Sequence, residues 1–401
     1  METTGMYGLP LEVKFCKKCV VSNQRPLSTV EFKNVGKKKE TIAFGEDGVC
    51  DACKFAEYKN SQIDWQKREK ELIELCDKHR SRDGRYDCIV PGSGGKDSSY
   101  ATHVLKYKYG MNPLSVTWAP HLYTDIGWQN LQSLIHIGGI DNVLFTPNGR
   151  VHAGLSKLAF ENLLHPFQPF IIGQKYIGPK MALQYKVPLI FYGENQAEYQ
   201  NKIEDNEIPT MKEEFFTEDI SLDQLFLGGI SAKQLIDQGK VSVNDLNPYL
   251  PASKEELKTL GAKVYYLGYY LKWDQQENYY YCAKNTGFKA NSERTEGTYS
   301  KYCSIDDKID RFHFYTTLIK FGMGQATNDA CQEIRTGKIT REEGVALVRR
   351  YDQEFPKKYF KEFLDYVNIS EEKFWQCINA GRPPHLWEEK NDTWILKHQV
   401  S

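Results

Sequence analysis

The chain has 401 residues, 40% hydrophobic and 26% charged, with a formal net charge of −1. That is the composition of a globular protein of two or three domains; it excludes a binder dominated by nucleic-acid phosphates, which needs a basic surplus. No apolar run reaches membrane-spanning length and METTGMYGLPLEVKF has no basic-then-apolar secretory pattern, so the protein is read as cytoplasmic, with no membrane contact and its ten cysteines as metal ligands or buried thiols.

The first element is a cysteine cluster. Cys16-Lys-Lys-Cys19 and Cys50-Asp-Ala-Cys53 are two C-x-x-C pairs. Each pair is a knuckle that turns two thiolates onto one ion, and two knuckles complete a tetrahedral site. The segment between them is turn-rich, with Gly36, the run Lys37-Lys38-Lys39, Gly45 and Gly48, and a β-prone piece at Thr41–Phe44. A zinc ribbon over residues 1–60 is expected, with structural Zn²⁺ supplying the folding energy that so small a core lacks.

Next comes Cys88-Ile89-Val90, a short apolar strand, then Pro91-Gly92-Ser93-Gly94-Gly95-Lys96-Asp97-Ser98-Ser99, then a helix marked by Ala101, Val104 and Leu105 and closed by Gly110 and Pro113. Strand, glycine turn, helix is where an anion binds. Glycines allow positive φ and close backbone approach, and the helix N-terminus presents free N–H groups and partial positive charge. A Walker A loop would need glycine at Val90 and Ser or Thr at Asp97, and a dinucleotide fingerprint would need glycine at Asp97. The match is S-G-G-x-D-S at Ser93–Ser98, the signature of the PP-loop, or N-type ATP-pyrophosphatase, superfamily.

Strands are then predicted at Leu114–Trp118, Asn142–Phe145, Pro188–Tyr192 and Lys263–Leu267, with a helix at Ile126–Ile137. This β/α alternation predicts an α/β fold with a doubly wound parallel sheet, its ligands beyond the carboxyl ends of the strands. Thr117, Gly193 and Glu194 stand at such ends. The domain occupies 61–275, with an insertion at about 199–260 that breaks the alternation and contains a helix at Ser231–Gln238. Residues 276–401 read as mostly helical, with a capping box at Thr340–Glu343 and a cap at Ser370.

With these motifs, the segment Asp306–Tyr315, and the pieces Gly127–Asn130, Gly193–Glu198 and Lys320–Gly324, the chain resembles the N-acetyl sugar amidotransferases of bacterial surface-polysaccharide and flagellar-glycan pathways. The resemblance runs over nearly the whole chain. It implies an adenine nucleotide α-hydrolase-like fold and ATP-dependent conversion of a sugar acetamido group to an acetamidino group, through an O-adenylyl intermediate and ammonia, with release of AMP and pyrophosphate. It implies a role in LPS O-antigen or in pseudaminic or legionaminic acid formation. Ser93, Gly94, Gly95, Ser98 and Ser99 would bind the phosphates of ATP, Lys96 and Asp97 would be catalytic, and Asp97 and Glu194 are candidates for Mg²⁺. Asp97 is equally readable as a helix N-cap, and Glu194 as a surface carboxylate. Asn130, Arg311 and His313 are candidates for the sugar, against a helix-borne structural role for the last two. Asp306, Asp307 and Asp310 read as an acidic first helical turn.

The other thiols, Cys76, Cys88, Cys282, Cys303, Cys331 and Cys377, lie in no glutaminase motif. The resemblance implies separate glutaminase and synthase-like subunits that supply ammonia. Two rivals remain: a PP-loop tRNA thiolase, with Cys282 or Cys303 carrying sulfur, and a non-catalytic zinc-bearing assembly protein that only binds nucleotide.

Overall fold

The computed structural model describes residues 4–27, 40–194, 208–217 and 219–401. Gly36, the Lys37–Lys39 run and the 195–198 part of the Gly193–Glu198 segment lie outside them.

Five strands form one parallel sheet: β1 (Cys88–Pro91), β2 (Pro113–Trp118), β3 (Asp141–Phe145), β4 (Leu189–Tyr192) and β5 (Lys263–Tyr266), in the spatial order 3-2-1-4-5. Ile89 lies opposite Leu114 on one side and Ile190 on the other. β1 and β4 are short and buried on both faces, and their side chains separate by pleat. Ile89 and Ile190 enter one core, while Cys88, Val90, Leu189 and Phe191 enter the other. The continuous apolar runs of the sequence are thus central strands of a covered parallel sheet.

Helices α1 (Asp51–Ser61) and α2 (Trp65–His79) precede the sheet. Within it, α3 (Lys96–Tyr107) follows β1, α4 (Asp125–His136) follows β2, and α5 (Gly149–Leu163) and α6 (Gln168–Tyr185) join β3 to β4. Leu72 and Cys76 of α2 and Ala101, Val104 and Leu105 of α3 cover one face. Phe170, Ile172, Tyr176 and Ile177 of α6 cover the other, together with Leu225, Leu235, Leu246 and Tyr249 of the insertion. The insertion therefore supplies sheet-covering core. It rejoins the sheet where Met211 N–H donates to the Val264 carbonyl (2.8 Å). Its helix, at Ala232–Asp237, starts with a Ser231–Gln234 capping box.

The C-terminal region contributes α7 (Gln275–Asn285), α8 (Asp310–Phe321), α9 (Gln325–Arg335), α10 (Arg341–Tyr351), α11 (Phe360–Val367) and α12 (Glu371–Ala380), and a terminal hairpin pairs Trp387–Lys390 with Thr393–Leu396. The expected Thr340–Glu343 capping box and Ser370 cap are present. Val20, Val21, Cys16, Cys19, Cys50 and Cys53 share one apolar cluster with Phe312, Phe321, Phe363 and Phe374. The cysteine segment is thus packed into the C-terminal helices.

Candidate active site

The strand order reverses between β1 and β4, and the crevice at such a point is where open α/β sheets hold ligands. Here it is a cavity of about 450 Å³. One wall is the glycine loop, 91–98. Gly94 has φ +85°, and a Cβ on it would stand 2.7 Å from Leu131 Cα, so only glycine fits where the loop crosses α4. Helix α3 begins at an N-cap, Gly95, that makes no side-chain capping bond, and its first N–H groups meet the cavity. Free N–H groups at a helix start favour an anion.

The reading of Asp97 as N-cap is corrected: the residue lies inside the first turn of α3. Its carboxylate pairs with Lys96 Nζ (2.5 Å) and accepts from Asn278 Nδ2 of α7 (3.3 Å). Lys96 is nearly fully buried. Burial alone would lower its pKa, but Asp97, Cys303 and Glu194 reverse this and hold it above its ordinary value. Its carbonyl accepts from Cys282 Sγ (3.1 Å), and its ammonium lies 5.9 Å from the Tyr302 ring centroid. Glu194 lines the cavity at the end of β4; burial first, then Asp97, pushes its carboxyl up to about 8. Lys175 of α6, on the same cavity, is lowered to about 8 by burial. Asp97 and Glu194 are thus two carboxylates in mutual electrostatic reach beside a phosphate loop, a donor set of the hard-oxygen kind that suits Mg²⁺.

The facing wall comes from 288–314. Phe288, Tyr302, Ser304, Ile305, Asp306, Asp307, Asp310 and His313 line it. It is held against the sheet by α4. Gly127 packs so closely that a Cβ would lie 2.4 Å from Asp306 Cα, Thr124 N–H donates to the Asp306 carbonyl (3.1 Å), and Asn130 braces Lys289 through both its amide groups (2.8 and 2.9 Å). Asp310 stands in the first turn of α8, as read from the sequence, and all three aspartates also line the cavity. Burial raises Asp307, and raises Asp310 to about 7 against the pull of Arg311. His313 lines the cavity and stacks on His165 (4.7 Å between centroids).

Four sequence candidates are placed off the cavity surface. Thr117 is fully buried, and its hydroxyl accepts from Asn142 Nδ2 (2.9 Å), so it ties β2 to β3. Ser99 donates to the Gly94 carbonyl (3.1 Å) and so braces the loop from behind. Gly193 gives its carbonyl to Gly268 N–H (2.8 Å). Arg311 is buried, bonding Gln325 and the Ser304 carbonyl beside Asp310. A side chain alternates faces along a strand, so the end of β2 puts Thr117 on the far side. Asn130 touches the cavity, but its amide is spent on Lys289. Sequence reasoning missed Lys175, Asn278 and Tyr302, none of which lies in a recognisable motif.

The four cysteines converge, with all sulfurs within 4.8 Å of one another. Cys16–Cys53 and Cys19–Cys50 separations are 3.9 and 3.7 Å. A tetrahedron with metal–sulfur bonds of about 2.3 Å has edges of about 3.8 Å, whereas a disulfide is about 2.05 Å. Cys16 Sγ also receives N–H donors from Lys18, Cys19 and Cys50, as metal thiolates do. The cluster is compatible with Zn²⁺.

The parallel sheet, with the S-G-G-x-D-S loop at its switch point, is the α/β architecture expected from the sequence. Residues 296–400 match the family described as LPS biosynthesis protein WbpG-like, C-terminal domain. A segment of 84 residues is 33% identical to an uncharacterized protein of Methanocaldococcus jannaschii. It covers 21% of this chain and 29% of that protein, so the chain spans under a third of that relative's length. The NMN synthetase of Francisella tularensis aligns with 78% of this chain and 97% of its own, at 13% identity and a TM-score of 0.29. Among the described residues no helix is long and apolar enough to cross a membrane.

Proposed function

We propose that the protein is an ATP-dependent, AMP-forming amidotransferase that turns a sugar acetamido group into an acetamidino group in LPS or related glycan biosynthesis. The observation that carries this reading is a phosphate loop and three aspartates facing each other across one cavity. An amide carbonyl is a poor electrophile and its oxygen a poor leaving group. Attack of that oxygen on the α-phosphorus breaks the bridging P–O bond, whose electron pair goes to pyrophosphate. Ammonia then forms the C–N bond as the C–O bond breaks, its pair leaving with AMP. Of the four N–H hydrogens of amide and ammonia, three stay on the amidinium and one passes to pyrophosphate.

Negative charge thus develops at the loop and positive charge at the acetamido carbon. Lys96, Ser93, Ser98 and the α3 N–H groups meet the first, and Asp306, Asp307 and Asp310 meet the second. Preoriented charges of this sort lower a barrier because they need no reorganisation. Asp97 and Glu194 would hold Mg²⁺, which neutralises phosphate charge when bound. Ammonia would come from a separate glutaminase partner. The thiolase reading is disfavoured by the thiols themselves: burial pushes Cys282 and Cys303 up to about 12, whereas a sulfur carrier needs an accessible thiolate.

The test is incubation with ATP, Mg²⁺, ammonium and a panel of acetamido sugars, followed by mass spectrometry. Replacement of one oxygen by NH in the sugar, with AMP and pyrophosphate in equal amounts, is expected. AMP formation with tRNA and sulfide but with none of the sugars would reverse the assignment.

A further inference from the structure

The aspartate wall has a second side. A separate cavity of about 230 Å³ lies behind it, lined on its other side by residues of the 291–296 stretch and by Lys358 and Tyr359. The two cavities share Ser304, Ile305 and Asp307, so the partition between them is this one stretch of chain. It is not a relaxed stretch. Ser304 is a non-glycine residue at φ +49°, a left-handed conformation that L side chains avoid. Its carbonyl is pinned by Arg311, and the Ile305 carbonyl by Thr124. Arg311, which the sequence offered as a substrate contact, lines the outer cavity and not the main one.

The rim of the outer cavity is charged, and its Lys358 and Arg294 are both paired, while Glu296 accepts from the Lys358 backbone N–H. Lys358 pairs with Glu293 (2.7 Å), and Arg294 holds Glu354 with both guanidinium nitrogens (2.6 and 2.7 Å). Cations already committed in this way leave little for a phosphate or a nucleotide. A small neutral molecule requires none of these charges. The reaction needs such a reactant, and needs it last: a nucleotide and a sugar together occupy a cavity of the main one's size, so a third reactant requires its own approach.

We propose that the outer cavity is the entry port for ammonia, and that the 304–307 partition is the gate through which ammonia reaches the activated carbon. The proposal rests on the amidine-forming reading. Two variants of the full chain test it, both off the main cavity: Thr295→Trp, which fills the port, and Tyr359→Ala, which widens it. Two quantities are read with an acetamido sugar present, the KM for ammonium during amidine formation and the ammonia-independent ATP–pyrophosphate exchange. Thr295→Trp is expected to raise the KM for ammonium roughly tenfold or more while exchange stays within about twofold of the parent. Tyr359→Ala is expected to lower that KM severalfold at unchanged exchange, and it decides the matter if the tryptophan variant does not fold. An unchanged KM for ammonium in a variant with intact exchange overturns the port. Absence of exchange in the parent protein with every sugar overturns the amidine reading itself, and the port with it.

Discussion

The two walls of the cavity are held in place by different physics. The phosphate wall is local: nine consecutive residues, Pro91–Ser99, contain the strand end, the glycines and the helix start, and backbone conformation alone aims the N–H groups. The aspartate wall is non-local. Residues 304–307 stay in position because Gly127 and Thr124 of α4 touch them, while α8 behind them packs in the core that also contains the cysteine cluster. A local site is robust to distant change and readable from a motif; a site built by packing depends on everything that packs.

The difference has a direct consequence for the metal. Chelation of Zn²⁺, or Cys50→Ser, is expected to abolish sugar-dependent AMP formation, because a structural metal site contributes folding energy outright. ATP binding to the loop, followed by fluorescent-nucleotide titration, should persist. Simultaneous loss of both would mean that the two walls fold as one unit.

Asp97→Asn cuts the other way. It removes charge beside the loop and the main partner of the buried Lys96, so kcat should fall on the order of 10²–10³-fold and the thermal transition should drop as well, because a buried ammonium loses its counter-charge. Steady-state kinetics with parallel calorimetry checks this.

Asp310→Asn probes the aspartate wall. Its carboxyl is raised to about 7 by burial, so it is neutral below that pH and charged above. Only the charged form can stabilise a developing amidinium. Amidine formation at constant free ammonia should therefore decline as pH falls through about 7, whereas the variant should be slower by roughly tenfold at pH 8 and should lack that limb. An identical limb in the variant would remove Asp310 from the chemistry.

Thr117→Val is the smallest effect and the sharpest control. It takes one acceptor from Asn142, which keeps Ser115 (3.2 Å), so stability should drop by about 1 kcal/mol. The KM for ATP should stay unchanged, because the hydroxyl faces β3. A raised KM would return Thr117 to the nucleotide site.

What could be read in the sequence follows the same division. The strands, α3, the glycine loop and the cysteine quartet are encoded by neighbours in the chain, and the structure places them within a residue or two of expectation. The 15-residue α5 and the 18-residue α6, which contains Pro179, give little signal, since α6 is apolar over most of its surface and has no clear amphipathic stripe. The terminal hairpin turns on Asn391 and Asp392, both at positive φ, a signal that was available. Lys175 reaches the cavity only because α6 docks on the sheet. Asp306, Asp307 and Asp310 resembled an ordinary helix start because their burial depends on α4, some 180 residues earlier in the chain.

The central claim is that oxygen from an acetamido group is adenylylated in this cavity. It is tested most directly with an acetamido sugar carrying heavy oxygen in the carbonyl. Turnover with ATP and ammonium should place the label in AMP and none in pyrophosphate, with the sugar product unlabelled. Label retained in the sugar while AMP accumulates would contradict the account, because ATP cleavage would then have occurred without activation of that oxygen.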